Sequence, residues 1–118
     1  MTQDDEIPVE AIARIIHEAH RALQVWLEEP YPTEPFDAIK DHSGLTNMVR
    51  LIQQGFPPEY VHQIWVDTMT ERGWTQGPKD PSRKTHPDVV PWVELPFWEQ
   101  QKVFLAFCIV EGVTSRSN

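Results

Sequence analysis

The chain has 118 residues, a formal charge of −8, a pI near 5.0 and 40% hydrophobic residues, five of them Trp. That size and apolar content predict one packed domain over residues 1–118, and the acidic balance argues against general nucleic-acid binding, which needs a basic footprint. The lone Cys108 excludes an intramolecular disulfide and a multi-cysteine zinc site and suits a reducing cytoplasm, and no apolar run reaches the roughly 18–20 residues that cross a membrane.

Residues 1–7 are polar and acidic, without the basic and apolar regions of a secretory signal, and are expected to fray. A helix is predicted over 8–28. Val9, Ile12, Ala13, Ile16, His20 and Leu23 recur at helical spacing, Ile15, Ala19, Ala22 and Trp26 widen the stripe, and Pro30 ends it. The next connection carries Pro30, Pro32 and Pro35, with Tyr31 and Phe36 expected to pack back on the core and a short turn at 36–39.

A second helix is predicted over 45–54, with Leu45, Met48, Val49 and Ile52 on one face and Gly55 as its stop. A third starts at Pro57 or Pro58 and runs to about 72, with Val61, Ile64, Trp65, Thr68 and Met69 inward and Gly73 capping it. The loop from Trp74 to Trp92 holds four prolines and no long periodic run, and a loop of that length in a small domain is usually functional or disordered. Its Trp74, His86, Val89, Val90 and Trp92 favour order. A fourth helix over 97–112 draws its core from Val103, Phe104, Phe107, Cys108 and Val110, and a polar tail closes the chain. These elements predict a small all-α domain of four helices with long loops and no alternating strands, arranged as two pseudo-symmetric halves about a cleft. Each half is a long helix, a proline-rich connection and a shorter apolar helix.

Catalytic constellations are weak. His17 and His20 stand at i and i+3 in His17-Glu18-Ala19-His20, not at the i and i+4 spacing of zinc proteases, and no third ligand is near, so structural histidines are expected. No nucleophile elbow or phosphate-binding glycine loop is present. Asp80, Asp88, Glu94 and Glu99 could act as acid or base, but nothing in the sequence pairs them. No enzyme activity, metal or cofactor is therefore expected.

The richest stretch is 61–92. His62 and Trp65 share one helical face. Trp65 has two readings, an ordinary core residue or an aromatic platform for a base. The cluster Lys79, Arg83 and Lys84 likewise reads as a solvated loop or as phosphate contacts.

The order of residues from His62 to Glu111 resembles the RyR domain, the repeat found in pairs in ryanodine receptors and in small bacterial and phage proteins. The resemblance rests on His62 and Trp65; Gly73, Trp74, Gly77, Pro78 and Asp80; Arg83 and Lys84; His86, Pro87, Val90 and Trp92; and Leu95-Pro96. Val89 and Trp92 depart mildly from the family's usual residues. The RyR-like region spans 61–112. The first half, 8–55, is a degenerate unit, with His17-Glu18 matching the family's start, His20 in place of a Trp, and no Gly-Trp loop.

The resemblance implies nucleotide binding in the cleft between the halves, with Trp65 and His62 against the base and His20 and Arg21 on the opposite wall. Lys79, Arg83 and Lys84 become the candidate phosphate contacts. It further implies a freestanding, cytoplasmic sink for an ADP-ribose-type or cyclic nucleotide signal, as a phage anti-defence sponge would be, acting in the host cytoplasm. Two other readings remain: a protein-interaction module using its aromatics, with a homodimer as one form, and a nucleotide-processing enzyme.

Overall fold

The computed structural model describes residues 7–30 and 32–114, and for Thr114 its backbone only. The expectations for Tyr31, for the fraying of residues 1–6 and for the tail 115–118 lie outside these residues. The fold is the expected all-α domain. Its helices are α1 (Val9–Trp26), α2 (Ser43–Gln53), α3 (Pro58–Glu71) and α4 (Phe97–Thr114). Among the described residues, no helix is long and apolar enough to cross a membrane.

Proline and glycine set the helix ends. Pro8 caps α1 from outside it, and Pro57 and Pro58 hold the N-cap and first turn of α3, where the missing N–H costs nothing. Gly55 and Gly73 stop α2 and α3 at φ of 92° and 91°, a left-handed conformation that glycine adopts without steric cost. The end of α1 is different. Glu28 takes that conformation at φ 54° without being glycine. Its N–H bonds the Val25 carbonyl, and the Glu29 N–H bonds that of Gln24, so the helix closes in a Schellman turn two residues earlier than the sequence predicts. The turn carries Glu29 towards α4.

The core lies where α1, α2 and α4 meet. Ile12, Ala13, Ile16, Phe36, Val49, Ile52, Ala106 and Val110 are buried, and Val61 joins them from α3. Each large aliphatic or aromatic side chain so buried contributes about 1.5–3 kcal/mol. Phe36 is held on two sides: the His42 ring stacks on it at 3.7 Å, and the Arg14 guanidinium lies 4.7 Å over it. It stands in a 3-10 turn, Phe36–Ala38, as the expected short turn predicts.

Several expected core positions face outward. Ile15 and Ala22 are exposed, and Trp26 is 84% exposed. Gln24 is buried in their place, its amide exchanging two hydrogen bonds with Thr33. In α4, Phe104 and Cys108 are exposed, while Ala106 and Lys102 are buried. That helix is apolar on every side, so periodicity could not say which side faces inward.

The long loop is ordered and contains two strands that alternation does not reveal. β1 (Thr75–Gln76) and β2 (Thr85–His86) pair in parallel, Thr75 opposite Thr85 and Gln76 opposite His86. The approach is close at Gly77, where an added Cβ would lie 3.1 Å from the Thr85 Cβ. A tight turn between the strands is tied by Asp80, which accepts from the Ser82 N–H and hydroxyl and whose own N–H bonds the Thr85 carbonyl. Thr85 Oγ1 donates to the Pro78 carbonyl.

The two halves share a device. In α1, His17 Nε2 donates to the Glu34 carbonyl at 2.6 Å; Pro35 and the 3-10 turn bearing Phe36 come next, and the two rings meet edge to face at 5.6 Å. In α3, His62 Nε2 donates to the Val90 carbonyl at 2.7 Å; Pro91 and the 3-10 turn Trp92–Glu94 come next, and the His62 and Trp92 rings lie at 6.0 Å. His20 and Trp65, each one turn after its histidine, are therefore equivalent positions.

Candidate functional site

A cleft of about 530 Å³ opens between the halves. One wall is apolar and comes from α2 and α3: Leu45, Met48 and Leu51, then Ile64, Trp65, Thr68 and Met69. Of the predicted inward face of α3, only Val61 is fully buried; Ile64, Trp65, Thr68 and Met69 are half-buried because they line this space. Most of the rest of the lining is polar, and this polar wall reaches Trp65 at His86. It is built by His20 and Gln24 of α1, by Glu29, by Glu99 and Lys102 of α4, and by Lys79, His86 and Asp88 of the long loop.

Trp65 is bracketed by imidazoles. The His62 ring lies 5.7 Å away at an interplanar angle of 29°, and the His86 ring meets Trp65 edge-on at 5.3 Å and 76°. His62 is fixed by its bond to Val90, and His86 Nδ1 accepts from the Asp88 N–H at 3.0 Å. Across the cleft, His20 Nε2 donates to the Lys102 carbonyl at 2.9 Å. Burial lowers the pKa of all three rings, so they are neutral at pH 7 and offer surfaces and hydrogen bonds, not charge.

The polar wall is an ion network. Lys102 Nζ donates to Glu29 Oε2 and, at 3.0 Å, to Glu99 Oε2. The three side chains are only 11%, 26% and 25% exposed. Burial opposes the ammonium charge, but its two carboxylate partners outweigh that and raise the Lys102 pKa. Asp88 and Glu99, which the sequence left unpaired, meet here. Burial, then the hydrogen bond and charge of Glu99, push Asp88 up to about 7. Glu99, although burial opposes it, is drawn down by its hydrogen bonds to Asp88 and Lys102. The pair thus shares one proton near neutral pH, Glu99 carrying the charge.

The predicted site residues divide. Trp65, His62, His20 and Lys79 all line the cleft. Arg21, Arg83 and Lys84 do not. Arg21 donates to the Thr33 carbonyl and to Glu18, tying α1 to the proline-rich connection. Arg83, 82% exposed, faces Asp80 at 3.7 Å. Lys84 Nζ donates to the Arg72 carbonyl and so closes the end of α3. Glu29, Arg72, His86, Asp88, Glu99 and Lys102 are cleft residues that sequence reasoning did not assign. Asp88 and Glu99 carried a weak signal, as acids that nothing in the sequence paired, and His86 another, as one of the loop residues that favour order. No protein family, curated protein or solved structure matches the chain.

Proposed function

We propose that this protein binds a nucleotide in the cleft between its two halves and sequesters it without chemical conversion. The observation that carries this reading is the open space beside Trp65. An indole that belonged to the core would be covered by neighbouring side chains; this one borders about 530 Å³ and is flanked by neutral imidazoles. Stacking a base on such a surface is worth about 1–3 kcal/mol. Lys79 and Arg72 are the lining cations that would meet phosphate, in place of the Arg83 and Lys84 named from sequence. Three cations, Lys79, Arg72 and Lys102, stand against the carboxylates of Glu29 and Glu99 and the shared proton of Asp88. That balance suits a ligand of low negative charge.

The resemblance to RyR domains supplies the biological part of the proposal: the ligand is an ADP-ribose-type or cyclic nucleotide signal, and the protein is a phage-type anti-defence sponge. Titration calorimetry with ADP-ribose, its cyclic isomers, ATP and cyclic oligonucleotides tests it. Binding with recovery of unchanged ligand supports a sponge, conversion of the ligand makes the protein an enzyme, and no heat with any of them refutes the reading.

A protein-interaction role is the second reading. Trp26, Phe97 and Trp98 are 84%, 65% and 55% exposed, and aromatics of this kind are enriched at protein interfaces. Concentration-dependent sedimentation separates a homodimer, built on these residues, from a monomer that works through its cleft.

A further inference from the structure

The polar wall bears on which part of a nucleotide lies against it, an inference that rests on the nucleotide reading above. Glu29 and Glu99 are held side by side because one ammonium bonds both. Asp88 adjoins Glu99, and all four side chains line the same cavity as Trp65. Two carboxylates would repel a phosphate here. Lys102 and Lys79 offset their charge, so a full positive charge gains little either. What remains attractive is a neutral group with two adjacent donors. A carboxylate accepts hydroxyl hydrogen bonds strongly, and the third N–H of Lys102 can serve a hydroxyl oxygen in return.

We infer that Glu29, Glu99 and Lys102, with Asp88 beside them, form a ribose subsite that takes the 2′- and 3′-hydroxyls of a ribonucleotide whose base lies on Trp65. The cleft therefore selects ribonucleotides over deoxyribonucleotides. The hydroxyls donate to the carboxylates, and a ligand lacking one leaves a desolvated carboxylate oxygen unpaired, which is the costly case. The phosphates then face away from the strip.

Calorimetry on the full chain with ADP-ribose, ADP, 2′-deoxy-ADP and 3′-deoxy-ADP tests this. ADP is expected to bind at least about tenfold more tightly than either deoxy form. In Glu29→Gln and Glu99→Gln, isosteric changes whose folding is checked by circular dichroism, the gap between ADP and its deoxy forms narrows. Deoxy forms that bind within twofold of ADP overturn the subsite and leave the nucleotide reading standing. If neither ADP-ribose nor any ADP form binds, the subsite is overturned, and the nucleotide reading falls with it when ATP, the cyclic isomers and the cyclic oligonucleotides give no heat either.

Discussion

Replacing Asp88 with Asn isolates the proton that the cleft holds. The Asp88 carboxyl is raised from 3.8 to about 7. Its folded pKa therefore lies above its unfolded one. Stability from this group is complete below about pH 4, falls as the pH rises, and is fully lost above about pH 7, because the unfolded chain releases the proton first. A shift of about three units corresponds to about 4 kcal/mol at full effect. Asp88 stays open to the cleft, and solvent screening reduces this to about 1–2 kcal/mol. The Asn amide keeps the shape and a donor towards Glu99 but carries no titrating charge. Asp88→Asn should thus gain stability relative to wild type by about 1 kcal/mol between pH 5 and pH 8.5, a relative rise of about 4 °C in melting temperature. The lowered pKa of Glu99 lies below this window and does not blur it. Urea denaturation of both proteins at the two pH values is the measurement. A difference that does not change between pH 5 and 8.5 refutes the shared proton.

Other parts of the structure give three more expected outcomes. Trp65→Ala should weaken nucleotide binding by about 1–3 kcal/mol, roughly ten- to a hundredfold, while the far-ultraviolet circular dichroism stays helical; unchanged affinity by calorimetry removes the base from this wall. Lys102→Met leaves two partly buried carboxylates without their ammonium and should cost about 2–3 kcal/mol at pH 7, as read by urea denaturation. Glu28→Gly relieves the left-handed residue at the end of α1 and should raise stability by about 0.5–1 kcal/mol, provided the Schellman turn is retained; a lower melting temperature means that the Glu28 side chain contributes more than its backbone costs.

The helices and their ends were legible because periodicity, proline and glycine act locally. Gly55 and Gly73 stop their helices where the sequence places them. The end of α1 was not legible, since a left-handed Glu28 is imposed by tertiary packing and contradicts its own propensity. The uniformly apolar α4 concealed its inward face, and so concealed Lys102. The cleft was half legible. Trp65 and His62 share a helical face four residues wide, which spacing reveals. Glu29, Asp88, Glu99 and Lys102 come from three separate segments, and only tertiary packing joins them. Charge alone misdirected the phosphate assignment: Arg83 and Lys84 are basic and near Lys79 in sequence, yet one faces Asp80 and the other closes α3.

The repeated histidine device explains why the cleft lies where it does. His17 and His62 each fasten a helix to the carbonyl before a proline, and each proline turns the chain through a 3-10 turn that buries or half-buries an aromatic ring, Phe36 or Trp92. The positions one turn beyond, His20 and Trp65, then face the seam between the halves from opposite sides. In the first half that position is an imidazole held to the Lys102 backbone; in the second it is a half-exposed indole. The repeated device therefore presents an imidazole to the cleft from the first half and an indole from the second. A ligand with a flat apolar end and a hydroxylated end fits such a lining better in one orientation than in the other. Reversing it would set the sugar hydroxyls against the apolar side chains of Ile64 and Met69 and the base against the ion network of Glu29, Lys102 and Glu99.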